Sequence, residues 1–209
     1  MSKIRRQADR SDGSGMSGSE MNSREIALRA IIEFLKTLRK PAVIMHHVMP
    51  ENLHDRDKDM VREMVLGGIK LRKKMEFIAQ SYVKAPLNQQ EIEIKAALIL
   101  GFYQLIEMSG VPDFAAVNET VSAVKNVVSE KSAGFINAIL RAYLMYQDKT
   151  RFPDRENDPV KFLSLFYSYP EWIVRRWLDR RLSSGMAQVP DPARRCPDPL
   201  ERHPRDPRL

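Results

Sequence analysis

Residues 88–108 read NQQEIEIKAALILGFYQLIEM and form the most apolar stretch of the chain. Apolar side chains recur there at the spacing of a helix, at Ile92, Ala96, Ile99, Leu100, Tyr103 and Ile106. Because few polar residues interrupt the stretch, the predicted helix is apolar on most sides, which is typical of a central helix surrounded by others. Its nearly apolar part, residues 96–106, is about half of the ~20 residues that a membrane span requires.

The sequence on both sides of this stretch also has helical periodicity. We expect helices over residues 23–38, 42–48, 55–82, 112–128, 132–146 and 160–166, and a last one from Pro170. Ser23 and Asp55 are the expected N-caps. The expected core face of the helix over residues 112–128 comprises Phe114, Val117, Val121, Val124 and Val128. That of the helix over residues 132–146 comprises Phe135, Ile139, Ala142, Tyr143 and Tyr146. No window alternates with period two, so the sequence predicts an all-α bundle.

The two ends differ in composition from the middle. Residues 1–23 hold six serines and three of the nine glycines, so residues 1–22 are expected to be a disordered leader. Residues 183–209 hold six of the 13 prolines and five arginines but no lysine. We expect a disordered Pro/Arg-rich tail there, and its abrupt start is typical of a shifted reading frame. The predicted body divides into a helical domain over residues 23–150 and a helical linker over residues 151–182.

Composition narrows the class of protein. The 209 residues include 34 Lys and Arg against 27 Asp and Glu, a net charge of +7 that permits an acidic partner such as RNA without requiring one. The single cysteine, Cys196, excludes a disulfide framework and a cysteine-based zinc site within one chain. The leader lacks the apolar segment of a secretory signal, so we expect a cytoplasmic protein without membrane association.

We find no catalytic constellation in the sequence. His46, His47 and His54 match no metal-ligand spacing, and two adjacent histidines point to different helix faces, so we expect surface or packing roles. Gly67-Gly68 has neither the spacing nor the preceding strand of a phosphate loop. A glycine pair inside a helix indicates instead close helix packing or a bend.

Basic residues form several clusters. For each one a solvated helix face is the simpler interpretation, and RNA binding requires several clusters to converge on one face. The clusters comprise Arg24 and Arg29; Arg56 and Lys58; Lys70, Arg72, Lys73 and Lys74; Lys125, Lys131 and Arg141; and Arg175, Arg176, Arg180 and Arg181.

Three segments together resemble the NusB-type helical domain. They are RDK at 56–58 with MVLGGI at 64–69; ALILGFYQL at 97–105 with VP at 111–112 and AAVNE at 115–119; and GFINAILR at 134–141. A fourth, SYPEWIVRRW at 168–177, resembles the linker that follows this domain in bacterial rRNA cytosine-5 methyltransferases of the RsmB (Sun/Fmu) type. In that family an S-adenosylmethionine-binding catalytic domain comes next. Here we expect it to be missing, because no cofactor loop occurs and Cys196 lacks the family's Pro-Cys context.

The resemblance implies that the chain is the N-terminal fragment of such a methyltransferase and that it binds RNA. The RNA that the resemblance implies is rRNA. It would position rRNA without catalysis and without a cofactor in this chain. The implied RNA contacts are Arg24, Arg29, Arg56, Lys58, Lys125 and Arg141. One alternative is a stand-alone NusB-type antitermination factor that binds leader RNA and a ribosomal protein, and another is a protein-interaction bundle.

Two readings also stay open for three polar residues in the shared motifs, Asn118, Glu119 and Asn137. They are either helix-packing contacts, which we favour, or part of an RNA-binding face.

Overall fold

The computed structural model describes residues 22–183, with the side chains of residues 22–180. Over this range the chain is helical and contains no strand, which confirms the all-α prediction. The helices are α1 (Ser23–Thr37), α2 (Pro41–Val48), α3 (Asp55–Lys70), α4 (Arg72–Gln80), α5 (Ile92–Glu107), α6 (Asp113–Val127), α7 (Glu130–Met145), α8 (Pro159–Phe166) and α9 (Glu171–Ser183), with 3₁₀ turns at Leu87–Gln89 and Gln147–Lys149. The expectations for residues 1–21 and 184–209, Cys196 included, lie outside the described residues.

Helix α5 is the centre of the bundle, as its apolar sequence predicts. It packs against α1, α3, α4, α6 and α7. Every residue from 96 to 104 is buried, which a helix achieves only when neighbours cover all of its sides. Burial of this run therefore stabilises the contacts of α5 with all of these helices.

The glycine pair in α3 allows a close approach to α5. A Cβ atom on Gly67 would lie 2.0 Å from the Tyr103 hydroxyl oxygen, and one on Gly68 would lie 3.3 Å from Ile99 Cγ2. The Tyr103 ring thus occupies the space that a side chain at position 67 would fill. Burial, together with the nearby Glu63 and Glu107 carboxylates, raises the Tyr103 pKa to about 12.

The prediction of one continuous helix over residues 55–82 is wrong, but the glycine pair was expected to mark close packing or a bend, and the chain breaks at Leu71, three residues after Gly68. Helix α3 ends at Lys70 and α4 begins at Arg72. Leu71 between them has φ −98° and ψ 17°, outside the α-helical region. The bend lets α4 follow α5 and lets Phe77 reach Phe152, with ring centroids 5.0 Å apart.

Both predicted N-caps are displaced by one residue. The Asn22 side chain caps α1 by accepting from the Arg24 N–H, while the Ser23 hydroxyl donates to Asp57 instead. His54 caps α3, and its Nδ1 accepts from the Arg56 N–H at 3.3 Å. Asn is among the residues most favoured at an N-cap, which agrees with the observed cap at Asn22.

The predicted core face of α7 is also wrong in part. Phe135 and Tyr146 are exposed, whereas Ile136 and Leu140 are fully buried. The cause lies in α5, where a Cβ on Gly101 would lie 2.7 Å from Leu140 Cδ1. Leu140 therefore fills the gap above this glycine and sets the rotation of α7. On α6 the expected core residue Phe114 is likewise 70% exposed.

The last two helices extend the bundle beside α4. Helix α8 packs against α4, and α9 packs against α8. An aromatic cluster fills this junction and comprises Phe77, Phe152, Phe162 and Phe166. In the described part of the chain, no helix has the length and apolar character needed to cross a membrane.

The close approach of α3 and α5 predicts opposite effects for two glycine substitutions. Gly67→Ala should destabilise the protein by about 1–3 kcal/mol, because overpacking against Tyr103 outweighs the gain in helix propensity. Gly134→Ala in α7 should stabilise it by about 1 kcal/mol, since no heavy atom lies within 4 Å of the new Cβ. Urea unfolding of both variants measures the difference, and two stabilising substitutions would contradict the packing of α3 on α5.

Candidate nucleic-acid interface

The start of α1 is fixed to α6 by its N-cap residue. The Asn22 side-chain oxygen accepts from the Arg24 N–H at 3.2 Å, and its Nδ2 donates to Glu119 Oε2 at 2.7 Å. One side chain thus satisfies a free helix N–H and ties α1 to the middle of α6. Glu119 is occupied by this contact, which agrees with the helix-packing interpretation of the shared motif, while the neighbouring Asn118 is exposed.

A buried polar network holds Arg24. Its Nε donates to Gln104 Oε1 at 3.3 Å, and Gln104 is 1% exposed. The Gln104 Nε2 donates to Thr120 Oγ1 at 2.8 Å and to the Leu100 carbonyl at 3.3 Å. Because a buried amide is costly when unpaired, this network orients the Arg24 stem. The guanidinium terminal nitrogens have no partner among the described residues.

Gln104 and Thr120 are site residues that the sequence analysis missed. The available signal was a glutamine at the end of an otherwise apolar buried run. A buried polar side chain in such a run must have a hydrogen-bond partner, but the sequence does not say which.

A hydrogen bond between Ser23 and Asp57 brings the starts of α1 and α3 together. The Ser23 hydroxyl donates to Asp57 Oδ1 at 3.0 Å. Arg24 follows Ser23, and Arg56 and Lys58 flank Asp57, so three of the predicted basic residues lie at one edge of the bundle. We call Arg24, Arg56 and Lys58, with the two helix starts that carry them, the α1/α3 edge.

The two cations of α3 at this edge, Arg56 and Lys58, differ in exposure and in their side-chain partners. Arg56 is exposed and has no side-chain partner in the described range. Lys58 is half-buried, and its Nζ lies 3.4 Å from the exposed Asp55 Oδ1, a pair of little energetic weight. Both cations are therefore available to an anionic ligand.

Arg29 lies further along α1, on the side that faces α6. It follows Glu25 by one helical turn, and Glu25 Oε1 accepts from Asn126 Nδ2 at 2.6 Å. Arg29 itself is exposed and unpaired within the described residues. It extends the basic surface along α1 beyond the α1/α3 edge.

The structure does not bring Lys125 and Arg141 to this edge by any described contact. Lys125 Nζ lies 2.8 Å from Glu130 Oε1, and this hydrogen bond lowers the Glu130 pKa. Arg141 Nε donates to Asn137 Oδ1 at 2.9 Å, which ties Asn137 to its own helix. Both cations are exposed, and each already has a polar partner.

The basic run of α4 is partly structural rather than a solvated face. Lys74 is buried, its Nζ lies 2.7 Å from Glu107 Oε1, and it sits 4.4 Å from the centroid of the Phe166 ring. Its backbone N–H donates to the Ser168 hydroxyl at 3.0 Å. The preceding Lys73 donates to the hydroxyl of Ser164 in α8. These two lysines attach α8 and the segment after it to α4.

The histidines and the glycine pair of the described residues have structural contacts. No group of three His, Cys, Asp or Glu side chains converges within residues 22–180. His46 and His47 contact each other edge to face, and His54 caps α3. Gly67-Gly68 lies inside α3 against Tyr103 and Ile99, so its backbone cannot cradle a phosphate.

Comparison with known proteins adds the family context. The sequence profile of the NusB family matches residues 21–145. The chain is 27% identical over 157 residues to the probable ribosomal RNA small subunit methyltransferase B of Bacillus subtilis, covering 75% of this chain and 34% of that protein. It is 28% identical over 158 residues to ribosomal RNA small subunit methyltransferase B of Proteus mirabilis, covering 74% and 35%. The chain thus spans about a third of the length of these curated relatives.

Two solved structures share the fold. A chain in the crystal structure of a plectonemic RNA supercoil superposes with a TM-score of 0.57 at 17% identity, over 62% of this chain and 96% of that one. A chain in the crystal structure of antitermination factors NusB and NusE in complex with dsRNA superposes with a TM-score of 0.54 at 18% identity, over 61% and 95%. In each case about three fifths of this chain superposes on nearly the whole of the matched chain.

The buried Lys74 predicts a difference between neighbouring lysines of the basic run. Lys74→Ala should destabilise the protein by about 3 kcal/mol, because it leaves the Glu107 carboxylate without its partner. Lys70→Ala should change stability by less than about 0.5 kcal/mol, since Lys70 is exposed and unpaired in the described structure. Thermal or urea unfolding of the two variants makes the comparison, and equal effects would contradict the burial of Lys74 against Glu107.

Proposed function

Because the chain belongs to the NusB family, we propose that it binds RNA through the α1/α3 edge and the adjoining Arg29. The observation that carries the proposal is the hydrogen bond from Ser23 to Asp57, which places Arg24 beside the start of α3, where Arg56 and Lys58 alternate with aspartates. The proposal is also supported by the two structures that share the fold, one of a plectonemic RNA supercoil and one of NusB and NusE in complex with dsRNA.

The electrostatics of the edge suit a phosphate backbone. Each helix start carries the positive end of its dipole, so α1 and α3 together favour an anion at this edge. Glu25, Asp57 and Glu119 each accept a hydrogen bond from a neighbouring helix or its cap, which fixes their positions but leaves their negative charge. Asp55 is also exposed beside Lys58, so the cations of this edge attract phosphate in the presence of neighbouring carboxylates.

We propose that the ligand is rRNA and that the described helices hold it without performing chemistry. The curated relatives are small subunit rRNA methyltransferases, and the match to them is longer than the match to the NusB profile. Methyl transfer requires S-adenosylmethionine, and this proposal places no cofactor in the described helices. Arginine and lysine contacts to phosphate position an RNA but carry no sequence information, so this surface would orient rRNA rather than select a base. We place this activity in the cytoplasm.

Lys125 and Arg141 are secondary contacts in this proposal. Each must exchange its present partner, Glu130 or Asn137, for a phosphate. Because both pairs are exposed, that exchange costs little. Their contribution should therefore be smaller than that of Arg24 or Arg56.

The second candidate is antitermination together with a ribosomal protein. It is favoured by the structural similarity to the NusB–NusE assembly. The segment after α7 argues for the first candidate, because SYPEWIVRRW at 168–177 resembles the linker that follows the NusB-type domain in the rRNA methyltransferases. Copurification with a ribosomal protein and an antitermination-site RNA would favour the second candidate.

The proposal predicts a loss of RNA affinity for two arginine variants. Arg24→Ala and Arg56→Ala should each weaken binding to an rRNA hairpin by about tenfold, the typical value of a hydrogen bond to a charged group. Each should also reduce the slope of log affinity against log salt by about 1. Fluorescence anisotropy of a labelled hairpin at several salt concentrations measures both quantities.

The matched control is Arg39→Ala, at the opposite end of α1, about 20 Å from Arg24 by helix rise. Arg39 is exposed and its side chain has no partner among the described residues, so its removal should leave affinity unchanged. Equal losses for Arg24, Arg56 and Arg39 would reject a localised edge. Affinity that does not change with salt would reject phosphate contacts and favour a protein-interaction bundle.

A further inference from the structure

Helix α9 exposes both tryptophans of the protein. The full sequence contains two tryptophans, and Trp172 and Trp177 are 64% and 47% exposed. Exposed large aromatic residues on one helix are typical of an interaction site, since their burial against a partner is favourable. The bundle itself does not use these two rings for its core.

Arginines separate the two indoles on the helix surface. Trp172 precedes Arg176 by four residues and Arg176 precedes Arg180 by four, so these three side chains form one row along α9. Trp177 precedes Arg180 by three residues and lies on the other side of that row. All of these side chains are exposed. We call Trp172, Arg176, Trp177 and Arg180 the α9 face.

The cations of this face are available for a ligand. Arg176 and Arg180 have no ion pair or hydrogen bond with any described residue, whereas Arg175 lies 3.5 Å from Glu171. Two unpaired guanidinium groups repel each other and favour an acidic partner. Their planar shape also suits bidentate binding of phosphate.

The face is held in place from below. Val174 is 1% exposed and anchors α9, and the Tyr169 ring meets Trp177 edge to face with centroids 5.1 Å apart. The Tyr169 carbonyl accepts from the Ser164 hydroxyl at 2.6 Å, and Ser164 also binds Lys73 of α4. These contacts fix α9 to the bundle through α8. Because the helix that carries the tryptophans is already held in place, the entropy cost of binding a ligand is lower.

We propose that the α9 face binds single-stranded RNA, with bases stacked on Trp172 and Trp177 and phosphates bound by Arg176 and Arg180. Aromatic rings interleaved with arginines are the usual means of binding unpaired nucleotides. A duplex presents few free base faces, so this ligand differs from the phosphate backbone proposed for the α1/α3 edge. The inference rests on the proposed function only in taking RNA as the ligand.

Intrinsic fluorescence reports on this face directly, because both tryptophans of the chain lie on it. Titration of the full chain with a ten-nucleotide oligouridylate, which forms little secondary structure, should quench the tryptophan emission. Stacking of a base on an indole is the expected cause of the quenching. Binding measured independently by anisotropy of labelled oligouridylate should follow the same curve.

Three variants test the roles of the side chains. Trp172→Ala and Trp177→Ala should each lower oligouridylate affinity by about tenfold. The double variant Arg176→Ala/Arg180→Ala should reduce the salt slope by about 1.4, the value for two phosphates of a single strand. Phe114→Ala is the matched aromatic control, since Phe114 is 70% exposed on α6, and Arg39→Ala is the matched arginine control. Neither control should alter oligouridylate binding, and circular dichroism should show each variant folded.

The same proteins separate failure of this inference from failure of the proposed function. Oligouridylate that leaves the emission and anisotropy unchanged, while hairpin RNA still binds through Arg24 and Arg56, overturns the inference and assigns the α9 face to a protein partner. Oligouridylate that quenches the emission, while hairpin affinity does not respond to Arg24→Ala or Arg56→Ala, supports the inference and overturns the proposed function. Equal effects of the controls and the α9 variants would overturn the inference as well.

Discussion

The amide of Gln104 connects the core of this protein to its candidate RNA surface. It lies in the buried part of α5, where water cannot satisfy it, so each of its polar atoms must have a protein partner. Its nitrogen binds Thr120 of α6 and its oxygen accepts from Arg24 of α1. The same amide thus connects α1 and α6 to α5 and orients Arg24. Of the basic residues at this surface, Arg24 is therefore oriented by the core beneath it.

The fold was largely predictable, because α5 is so apolar that its central position follows from the sequence alone. What could not be predicted depends on contacts between distant residues. The rotation of α7 depends on Leu140 filling the space above Gly101, and two exposed aromatic residues were placed in the core as a result. The glycine pair indicated close packing or a bend, but the position of the break at Leu71 depends on the packing of α4 along α5, which local periodicity does not report.

The candidate site was predictable only as a set of charges. The sequence shows that Arg24, Arg56 and Lys58 are basic, but their convergence depends on the hydrogen bond between Ser23 and Asp57, across 34 residues of sequence. The lysines of the basic run also cannot be distinguished from the sequence. Lys74 is buried against Glu107 and Phe166, whereas Lys70 is exposed, and only the three-dimensional contacts distinguish them.

The central claim is that RNA binds where α1 and α3 begin, and amide chemical-shift mapping by NMR tests it most directly. A short hairpin RNA titrated into the isotope-labelled full chain should shift the amides of residues 22–29 and 54–58, together with the side-chain amide of Gln104. The amides of α2, on which no part of the proposed surface lies, should stay in place. Shifts confined to other helices, with residues 22–29 and 54–58 unchanged while the RNA is bound, would contradict the account.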